Sequence, residues 1–506
     1  MKLKYIFQGL ICSTLLIAAS CSLVKDPIDT YSDVTEGVTE AGTKVVFKDK
    51  AAVQSHLTTL YNQMRDRQEH WYLDLLLIAE AHSDNAYAGT TGAEVIPFEN
   101  NSIEGSNSVI ERDWNRYLED VARANKLINN VDSVVDNTFT TAEREEVKSQ
   151  GKIFRAMVLF DMVRLWGSIP VITKEAGDIT SGTIKDVYGD YFPAQNTEEE
   201  AYRQIEKDLL DALASAPNTN ATNKTLFTKS VARTLLAKVY AEKPLRDYSK
   251  VIQYCDAVTA DGFDLVTDYS DLFGMNAANT DTKIRNTKES ILEAQFVSGG
   301  GNWVTWMLGR DLTNYNNNFT WAKWITPSRS LIKAFQDDGD KTRYTESVVY
   351  YQSTWSNYYP ATNYPFMYKT RSAYSSIIKF RYADVLLLKT EALIMGSSPN
   401  LTAAADIIDR IRLRAGVAKL AISVRSNKDA MLDALLKERR LEMAFEGQRW
   451  FDLVRLNKVE EVMNAVYAKD PKRKARVYPF NLDSYRLPIP QAVIDQNPNL
   501  VQNPGY

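Results

Sequence analysis

The stretch Lys437–Leu456 of this 506-residue chain reads KERRLEMAFEGQRWFDLVRL and carries the densest charge pattern of the sequence. Its apolar positions recur at helical spacing, so we predict one long helix over residues 427–455. The same periodicity extends through most of the chain, and the fold class it predicts is mainly α. The other predicted helices cover residues 51–66, 109–130, 142–166, 198–215, 229–242, 247–259, 379–395 and 402–415.

The acidic residues of this stretch allow two interpretations. Glu438, Glu442 and Glu446 follow one another at intervals of four, which places their carboxylates on one helix face. A glycosidase would use two such carboxylates as its acid and base. Arg439 and Arg440 are interleaved with them and favour ion pairs within the helix or with its neighbours. We predict this structural role and assign no catalytic residue.

The helices group into pairs joined by short turns. In residues 231–258, small and large apolar positions alternate as in a tetratricopeptide repeat, and residues 379–415 are similar. Generic antiparallel helix hairpins would give much the same pattern. Residues 262–375 differ, because they are rich in Asn, Thr, Tyr, Trp and Gly and contain only short strand-like pieces, at Ser290–Val297 and Ser347–Gln352. Long irregular segments of this kind are usually functional.

The first twenty residues form a targeting segment. Lys2 and Lys4 precede an apolar run that is too short to span a bilayer, as in a secretory signal peptide. The run ends in Ile-Ala-Ala-Ser before Cys21, which resembles the lipobox of bacterial lipoproteins, although an ordinary signal peptide with an incidental Cys remains the alternative. We therefore predict a signal peptide over residues 1–20, a lipid on Cys21, and a polar tether over residues 21–45.

Composition narrows the function classes. With 60 Lys+Arg against 64 Asp+Glu, the chain has no positive excess for binding nucleic acid. It has only three His, and these show no metal-ligand spacing, although His82 and Asp84 could approach one another. No nucleotide-binding or hydrolase motif occurs. We predict no metal and no cofactor, and we expect Cys255, within an apolar helical stretch, to be a buried, inert thiol.

Aromatic residues concentrate in the irregular region. Four of the nine Trp lie between residues 303 and 324, and a second group follows at residues 355–359. Aromatic rings stack on the apolar faces of sugars while amide side chains satisfy the hydroxyl groups, but such rings also pack in cores and interfaces. Trp114, Trp166 and Trp450 lie in predicted helices, and we expect them in the core. The candidate ligand-binding residues are Asn85, Tyr87, Trp303, Trp306, Tyr315, Trp321, Trp324, Trp355, Tyr358 and Tyr359.

Several motifs together resemble the RagB/SusD family of Bacteroidetes outer-membrane lipoproteins. The stretch quoted first matches the C-terminal signature of that family. The other matching segments are Trp114–Ile128, Arg155–Thr173 (RAMVLFDMVRLWGSIPVIT), Pro327–Arg343, Lys379–Leu393, Arg412–Val417 and Leu487–Tyr506 (LPIPQAVIDQNPNLVQNPGY). Each motif is weak alone, but together they run through the whole chain and are specific.

The resemblance implies a fold and a role. It implies one mainly α globule, in which a tetratricopeptide-like helix-pair scaffold carries a loop-rich region and an N-terminal part (46–260) packs with a C-terminal part (261–506). It implies a non-catalytic lipoprotein on the outer face of the outer membrane. Such a protein captures glycans and delivers them to a SusC-like TonB-dependent transporter. Peptide or other cargo, an all-helical carbohydrate-active enzyme, and a scaffold that binds only protein remain alternatives.

Overall fold

Helices make up most of the computed structural model, which describes residues 46–89, 92–180, 182–278, 280–296, 301–310 and 322–506. The predicted signal peptide, the tether and Cys21 lie outside these residues. Asp49–Tyr506 form one compact unit, and every feature below belongs to it. The helices of ten residues or more are α1 (Lys50–Asp66), α2 (Ser108–Asn130), α3 (Thr141–Trp166), α4 (Glu198–Ser215), α5 (Lys229–Ala241), α6 (Tyr248–Ala260), α7 (Arg329–Asp338), α8 (Tyr382–Met395), α9 (Leu401–Arg414), α10 (Lys428–Glu442) and α11 (Val459–Lys469).

Shorter helical segments connect them. The short α-helices are Asp74–Leu76, Ile96–Asn100, Ile184–Tyr191, Ser270–Phe273, Trp303–Leu308, Lys341–Ser347, Ile422–Arg425, Arg449–Arg455 and Gln491–Gln496. Two π-helical turns, Glu69–Leu73 and Leu77–Ala81, flank the first of these. The 3₁₀ turns are Val131–Ser133, Lys243–Leu245, Ala361–Asn363 and Leu482–Tyr485.

Local capping sets the ends of the long helices. At the start of α3, the Thr140 hydroxyl accepts from the backbone N–H of Glu143, and the Glu143 carboxylate accepts from the backbone N–H of Thr140. This reciprocal box satisfies two N–H groups that have no partner within the helix. The helix ends at Gly167, whose φ of 75° is unfavourable for other residues. Capping residues that can be recognised in the sequence explain why the predicted bounds, 142–166, are nearly those observed.

The long helices pack in chain order. Helix α2 packs on α3, α3 on α4, α4 on α5, and α5 on α6, which then contacts α8. Helix α8 packs against both α9 and α10. This succession of packed helix pairs confirms the predicted mainly α fold with a tetratricopeptide-like scaffold.

Three small antiparallel strand pairs join distant parts of the chain. Strand β1 (Ala86–Ala88) pairs with β3 (Ile325–Pro327), β2 (Ser290–Ala294) with β6 (Ile377–Arg381), and β4 (Val348–Tyr351) with β5 (Tyr364–Met367). The predicted strand pieces are therefore present as β2 and β4. The predicted helix start at residue 379 is wrong, because residues 377–381 pair with β2 before α8 begins.

The single long helix predicted over residues 427–455 is also wrong. Helix α10 ends at Glu442, and a new short helix begins at Arg449. Between them, Phe445 and Gly447 have φ values of 60° and 72°. Tertiary hydrogen bonds replace the helical ones here: the Glu442 carbonyl accepts from Lys369 at 2.9 Å and from Arg381 at 2.7 Å. The periodicity of the sequence continues across this break and conceals it.

The expected core residues are buried. Trp114 and Trp166 have no exposed surface and meet edge to face, with ring centroids 5.3 Å apart. Trp450 is buried, and Cys255 is a buried free thiol, as predicted. Among the residues that the structure describes, no helix combines the length and apolar character required to cross a bilayer.

Candidate functional site

The β1–β3 pair brings two of the predicted ligand-binding segments together. Trp324 directly precedes β3, and its carbonyl accepts a 2.9 Å hydrogen bond from the N–H of Gly89, which follows β1. A Cβ atom at Gly89 would lie 2.2 Å from the carbonyl oxygen of Lys323, so only glycine allows this approach. The segments around residues 85–89 and 303–324 thus share one strand pair at their edges.

The second aromatic group, residues 355–359, docks on the same two strands. The Tyr358 hydroxyl donates to the Ala88 carbonyl at 2.8 Å, and the Tyr359 hydroxyl donates to the Pro327 carbonyl at 2.9 Å. These hydroxyls reach opposite members of the β1–β3 pair. The structure therefore unites three segments that the sequence leaves far apart.

A short helix carries the first aromatic residues. Trp303–Leu308 is capped by the Asn302 side chain, which accepts from the Thr305 N–H at 3.2 Å. The backbone N–H of Trp324 donates to the Met307 carbonyl at 3.1 Å and ties this helix to β3. This backbone contact places the helix that carries Trp306 next to the residue that precedes β3.

Exposure separates the rings that can meet a ligand from those that cannot. Trp306 is 44% exposed and Tyr351 is 40% exposed. Sequence reasoning missed Tyr351, although its place at the end of a predicted strand was a usable signal. The Arg310 guanidinium lies 4.5 Å from the Tyr351 ring centroid. Trp303 is half-buried. We call the following half-buried or exposed rings the aromatic cluster: Trp306, Trp324, Tyr351, Trp355 and Tyr359.

Three predicted ligand-binding residues are instead buried. Tyr87 is fully buried and Tyr358 is 5% exposed, and their rings stack on one another. The same Tyr358 hydroxyl also lies 2.5 Å from a carboxylate oxygen of Glu99, so its single proton is shared between that carboxylate and the Ala88 carbonyl. Asn85 is fully buried between Glu80, which accepts from its amide at 2.7 Å, and Arg440. Because these side chains have almost no surface to offer a sugar, we do not carry them into the site.

Two other predicted residues, Tyr315 and Trp321, lie outside the described residues. The proposed ligand contacts therefore rest on the aromatic cluster and Trp303.

Comparison with known proteins identifies the family. A family model described as the SusD family matches residues 275–506, and a second model, described as starch-binding associating with outer membrane, matches residues 33–241. The chain belongs to the SusD/RagB family. The SusD-like protein P2 of Formosa agariphila is 27% identical over 503 residues, which cover 91% of this chain and 93% of that protein.

Solved structures with SusD-like folds superpose on most of the chain. A laminarin-binding SusD-like protein is 21% identical and has a TM-score of 0.69 over 91% of this chain and all of its own. The surface glycan-binding protein A from Bacteroides fluxus is 20% identical and has a TM-score of 0.70 over 90% of this chain and 99% of its own. At these identities the likeness establishes the fold of this SusD-like chain.

The three glutamates of the stretch Lys437–Leu456 form ion pairs with cations from other elements. Glu438 pairs with Arg343 at 2.5 Å, and Glu446 pairs with Lys369 at 2.5 Å. Burial alone would raise the pKa of Glu442, but Arg414, Arg381 and Arg343 hold it well below its usual range. A general acid requires the opposite shift, a raised pKa. The predicted ion pairing is thus present, and it runs to neighbouring elements.

The histidines of this SusD-like chain have structural partners. His70 Nε2 lies 2.8 Å from Asp120, and His82 Nδ1 lies 2.8 Å from the Phe98 carbonyl. Burial lowers the pKa of His82 to about 4. Asp84 does not form a metal site with His82. Its carboxylate instead accepts two hydrogen bonds from Arg449. Within the described ranges, no group of three or more His, Cys, Asp or Glu side chains could hold a metal ion.

Proposed function

We propose that this chain is a non-catalytic cell-surface lipoprotein that captures glycans and delivers them to a SusC-like TonB-dependent transporter in the outer membrane. Capture requires a surface that binds sugars without cutting them. Delivery requires an anchor beside the transporter, which a lipid on Cys21 would supply. The family model described as starch-binding associating with outer membrane supports this location.

The single observation that carries the proposal is the aromatic cluster. Trp306 presents nearly half of its surface to solvent on a short helix, and the Met307 carbonyl of that helix accepts from the N–H of the half-buried Trp324. Exposure of a large indole to water is energetically unfavourable. Exposed indoles are therefore typical of surfaces that bind apolar molecules or the faces of sugars. Arg310 is buried, and its guanidinium supports the exposed Tyr351 ring from 4.5 Å. Exposed flat rings are the chemistry that recognises the apolar faces of carbohydrate.

The similar proteins point the same way. One SusD-like neighbour binds laminarin and another is a surface glycan-binding protein, as their names state. A non-catalytic role is further supported by Glu438, Glu442 and Glu446, whose carboxylates are buried and paired with cations. An acid/base pair must instead reach the glycosidic bond.

The test is affinity electrophoresis of the purified protein against laminarin and a panel of other glycans. Retarded migration without release of reducing ends is the expected result. The double variant Trp306→Ala plus Trp324→Ala should raise the Kd for the glycan that retards the wild type at least about 10-fold, with little change in Tm. Tyr478→Ala is the matched control, because Tyr478 is 57% exposed elsewhere on the chain. It should leave the Kd unchanged.

The other outcomes distinguish the alternatives. Release of reducing ends by the wild-type protein would identify an enzyme. If no glycan retards the protein but it copurifies with a large outer-membrane barrel, two alternatives remain: capture of a peptide or another non-glycan cargo, and a scaffold that binds only protein. A large fall in Tm for the double variant would show that the two indoles are core residues.

A further inference from the structure

A cavity lies between α3, β6 and the turn that follows α10. The cavity has a volume of about 50 Å³, which is room for three or four water molecules. Its wall is apolar in part, from Trp71 and Phe380, and the half-buried Ile378 stands at its edge. The cavity is separate from the aromatic cluster, because none of the rings of that cluster lines it.

Positive charge outweighs negative charge in the wall. The cations that line the cavity are Arg164, Lys238, Lys369 and Lys379, and the carboxylates are Asp161 and Glu446. Lys238 pairs with Asp384, which lies just outside the wall, and Lys369 pairs with Glu446. Arg439 and Arg381 contact the same two carboxylates, and they have further acidic partners in Asp452 and Glu442. The remaining cations, Arg164 and Lys379, share one carboxylate.

That shared carboxylate is Asp161, which lies 2.5 Å from Arg164 and 2.6 Å from Lys379. Across the described part of the chain, no other carboxylate comes within 4 Å of either cation. Glu242 acts on Arg164 only from farther away, outside ion-pair distance. A buried group of two cations and one anion is therefore left with an excess positive charge, which is costly without a counterion.

Three hydrogen-bond donors in the wall lack a partner. Arg164 Nε, the Tyr72 hydroxyl and the Thr370 hydroxyl are buried and make no hydrogen bond to any described residue. All three residues line this cavity. Buried donors are almost always satisfied, so three unsatisfied ones at one cavity indicate a missing acceptor. The guanidinium of Arg164 cannot turn away, because Phe160 and Phe451 hold it at 4.3 and 4.0 Å from their ring centroids.

We propose that this cavity binds a small monovalent anion, a halide or a short carboxylate, between Arg164, Lys379 and Tyr72. The anion would supply the missing negative charge and accept the unsatisfied hydrogen bonds. Water would accept the hydrogen bonds but would leave the charge uncompensated. The site is independent of the proposed glycan function, because it uses other residues.

Thermal unfolding of the full chain, at constant sodium concentration and ionic strength, tests the proposal in solution. Bromide and acetate fit the cavity, whereas gluconate is too large. The Tm of the wild type should be at least about 2 °C higher in bromide or acetate than in gluconate, because a ligand that binds the native state stabilises it. Bromide and acetate together show whether the site accepts a halide, a carboxylate or both.

Two variants separate the site from general salt effects. Lys379→Met removes the excess charge and leaves Asp161 paired with Arg164, so it should lose the anion-dependent rise in Tm. Lys333→Met removes an equal charge from an exposed position and should keep that rise. If Lys379→Met fails to fold, wild-type crystals soaked in bromide give the answer through an anomalous peak within hydrogen-bond distance of Arg164 and Tyr72.

The proposal is overturned if wild type and Lys379→Met respond alike to bromide and acetate. It is also overturned if the soaked crystals show no peak, since the cavity then holds only water. A bromide peak without any rise in Tm means binding at crystal concentration only, and it too contradicts the proposal.

Discussion

Tyr358 lies flat against Tyr87, with ring centroids 4.5 Å apart and an angle of 1° between the ring planes. Both residues were candidates for ligand contact, yet each ring covers the other. Their hydroxyls point to different partners, Tyr358 to Glu99 and Tyr87 to Asp470. The pair forms a buried support beneath the strands that position the aromatic cluster.

Removal of the Tyr358 hydroxyl should therefore affect stability and leave ligand binding unchanged. Tyr358→Phe keeps the stacked ring but deprives the buried Glu99 of a donor, which should lower the free energy of unfolding by about 1–3 kcal/mol. Chemical denaturation measures this loss. Tyr359→Phe, at a half-buried ring, is the control and should cost less. Weaker glycan binding by Tyr358→Phe without loss of stability would return Tyr358 to the binding site.

Among the carboxylates of the stretch Lys437–Leu456, Glu442 should contribute most to stability. It is fully buried and lies 2.6 Å from Arg381, 2.5 Å from Arg414 and 3.1 Å from Arg343. Glu442→Gln leaves these arginines buried with too little negative charge, so we expect a loss of about 3–5 kcal/mol in the free energy of unfolding. Urea denaturation followed by circular dichroism measures it. The exposed Glu460→Gln should change stability little, and an equal loss in both variants would contradict the prediction.

Glu80 should make stability depend on pH. Burial raises the pKa of Glu80 from 4.5 to about 7, although Asn85 and the Gly447 N–H donate to the carboxylate. Between these pH values the native state binds more protons than the unfolded state, so the contribution of Glu80 to stability falls as the pH rises. Relative to Glu80→Gln, the wild type should lose about 3 kcal/mol of unfolding free energy from pH 4.5 to pH 7.

The measurement is the unfolding free energy of both proteins across this pH range. The Glu80→Gln variant provides the baseline, because residue 80 cannot ionise in it while every other titratable group is still present. A difference between the two proteins that stays constant with pH would show that the pKa of Glu80 is the same in the native and unfolded states, which contradicts the prediction.

The predicted lipid anchor distinguishes the cysteines. Cys21→Ala should abolish incorporation of radiolabelled palmitate and release the protein from the membrane fraction. Cys255→Ala should keep both, since Cys255 is buried and burial raises the pKa of its thiol, which leaves it unreactive. Membrane association of Cys21→Ala at the wild-type level would contradict the lipobox interpretation.

The parts of the fold that were predictable are those fixed by local sequence. Helix α2 was predicted over 109–130 and spans Ser108–Asn130, because the Asn107 side chain caps it and its apolar residues recur regularly. The break at residues 443–448 was not predictable, because it depends on Lys369 and Arg381, which arrive from far away in the sequence. Nothing in the stretch itself signals these partners.

The candidate site also has a part that the sequence predicts and a part that it does not. Composition located the aromatic-rich segments, and the structure joins them at the β1–β3 pair. Whether a given ring is exposed depends on its tertiary surroundings: Tyr358 is covered by Tyr87, whereas Trp306 is 44% exposed. The similar aromatic character of these residues in the sequence cannot separate the two outcomes.

The pairing of β1 with β3 has a consequence for limited proteolysis. These strands lie more than two hundred residues apart, and Arg449 holds Asp84 across a still longer interval. A single cut between α6 and β2 would therefore leave two fragments that stay associated through strand pairing and buried ion pairs. The nicked protein should migrate as one species on a native gel and separate only in denaturant, so a clip in this region would be invisible until the chain is unfolded.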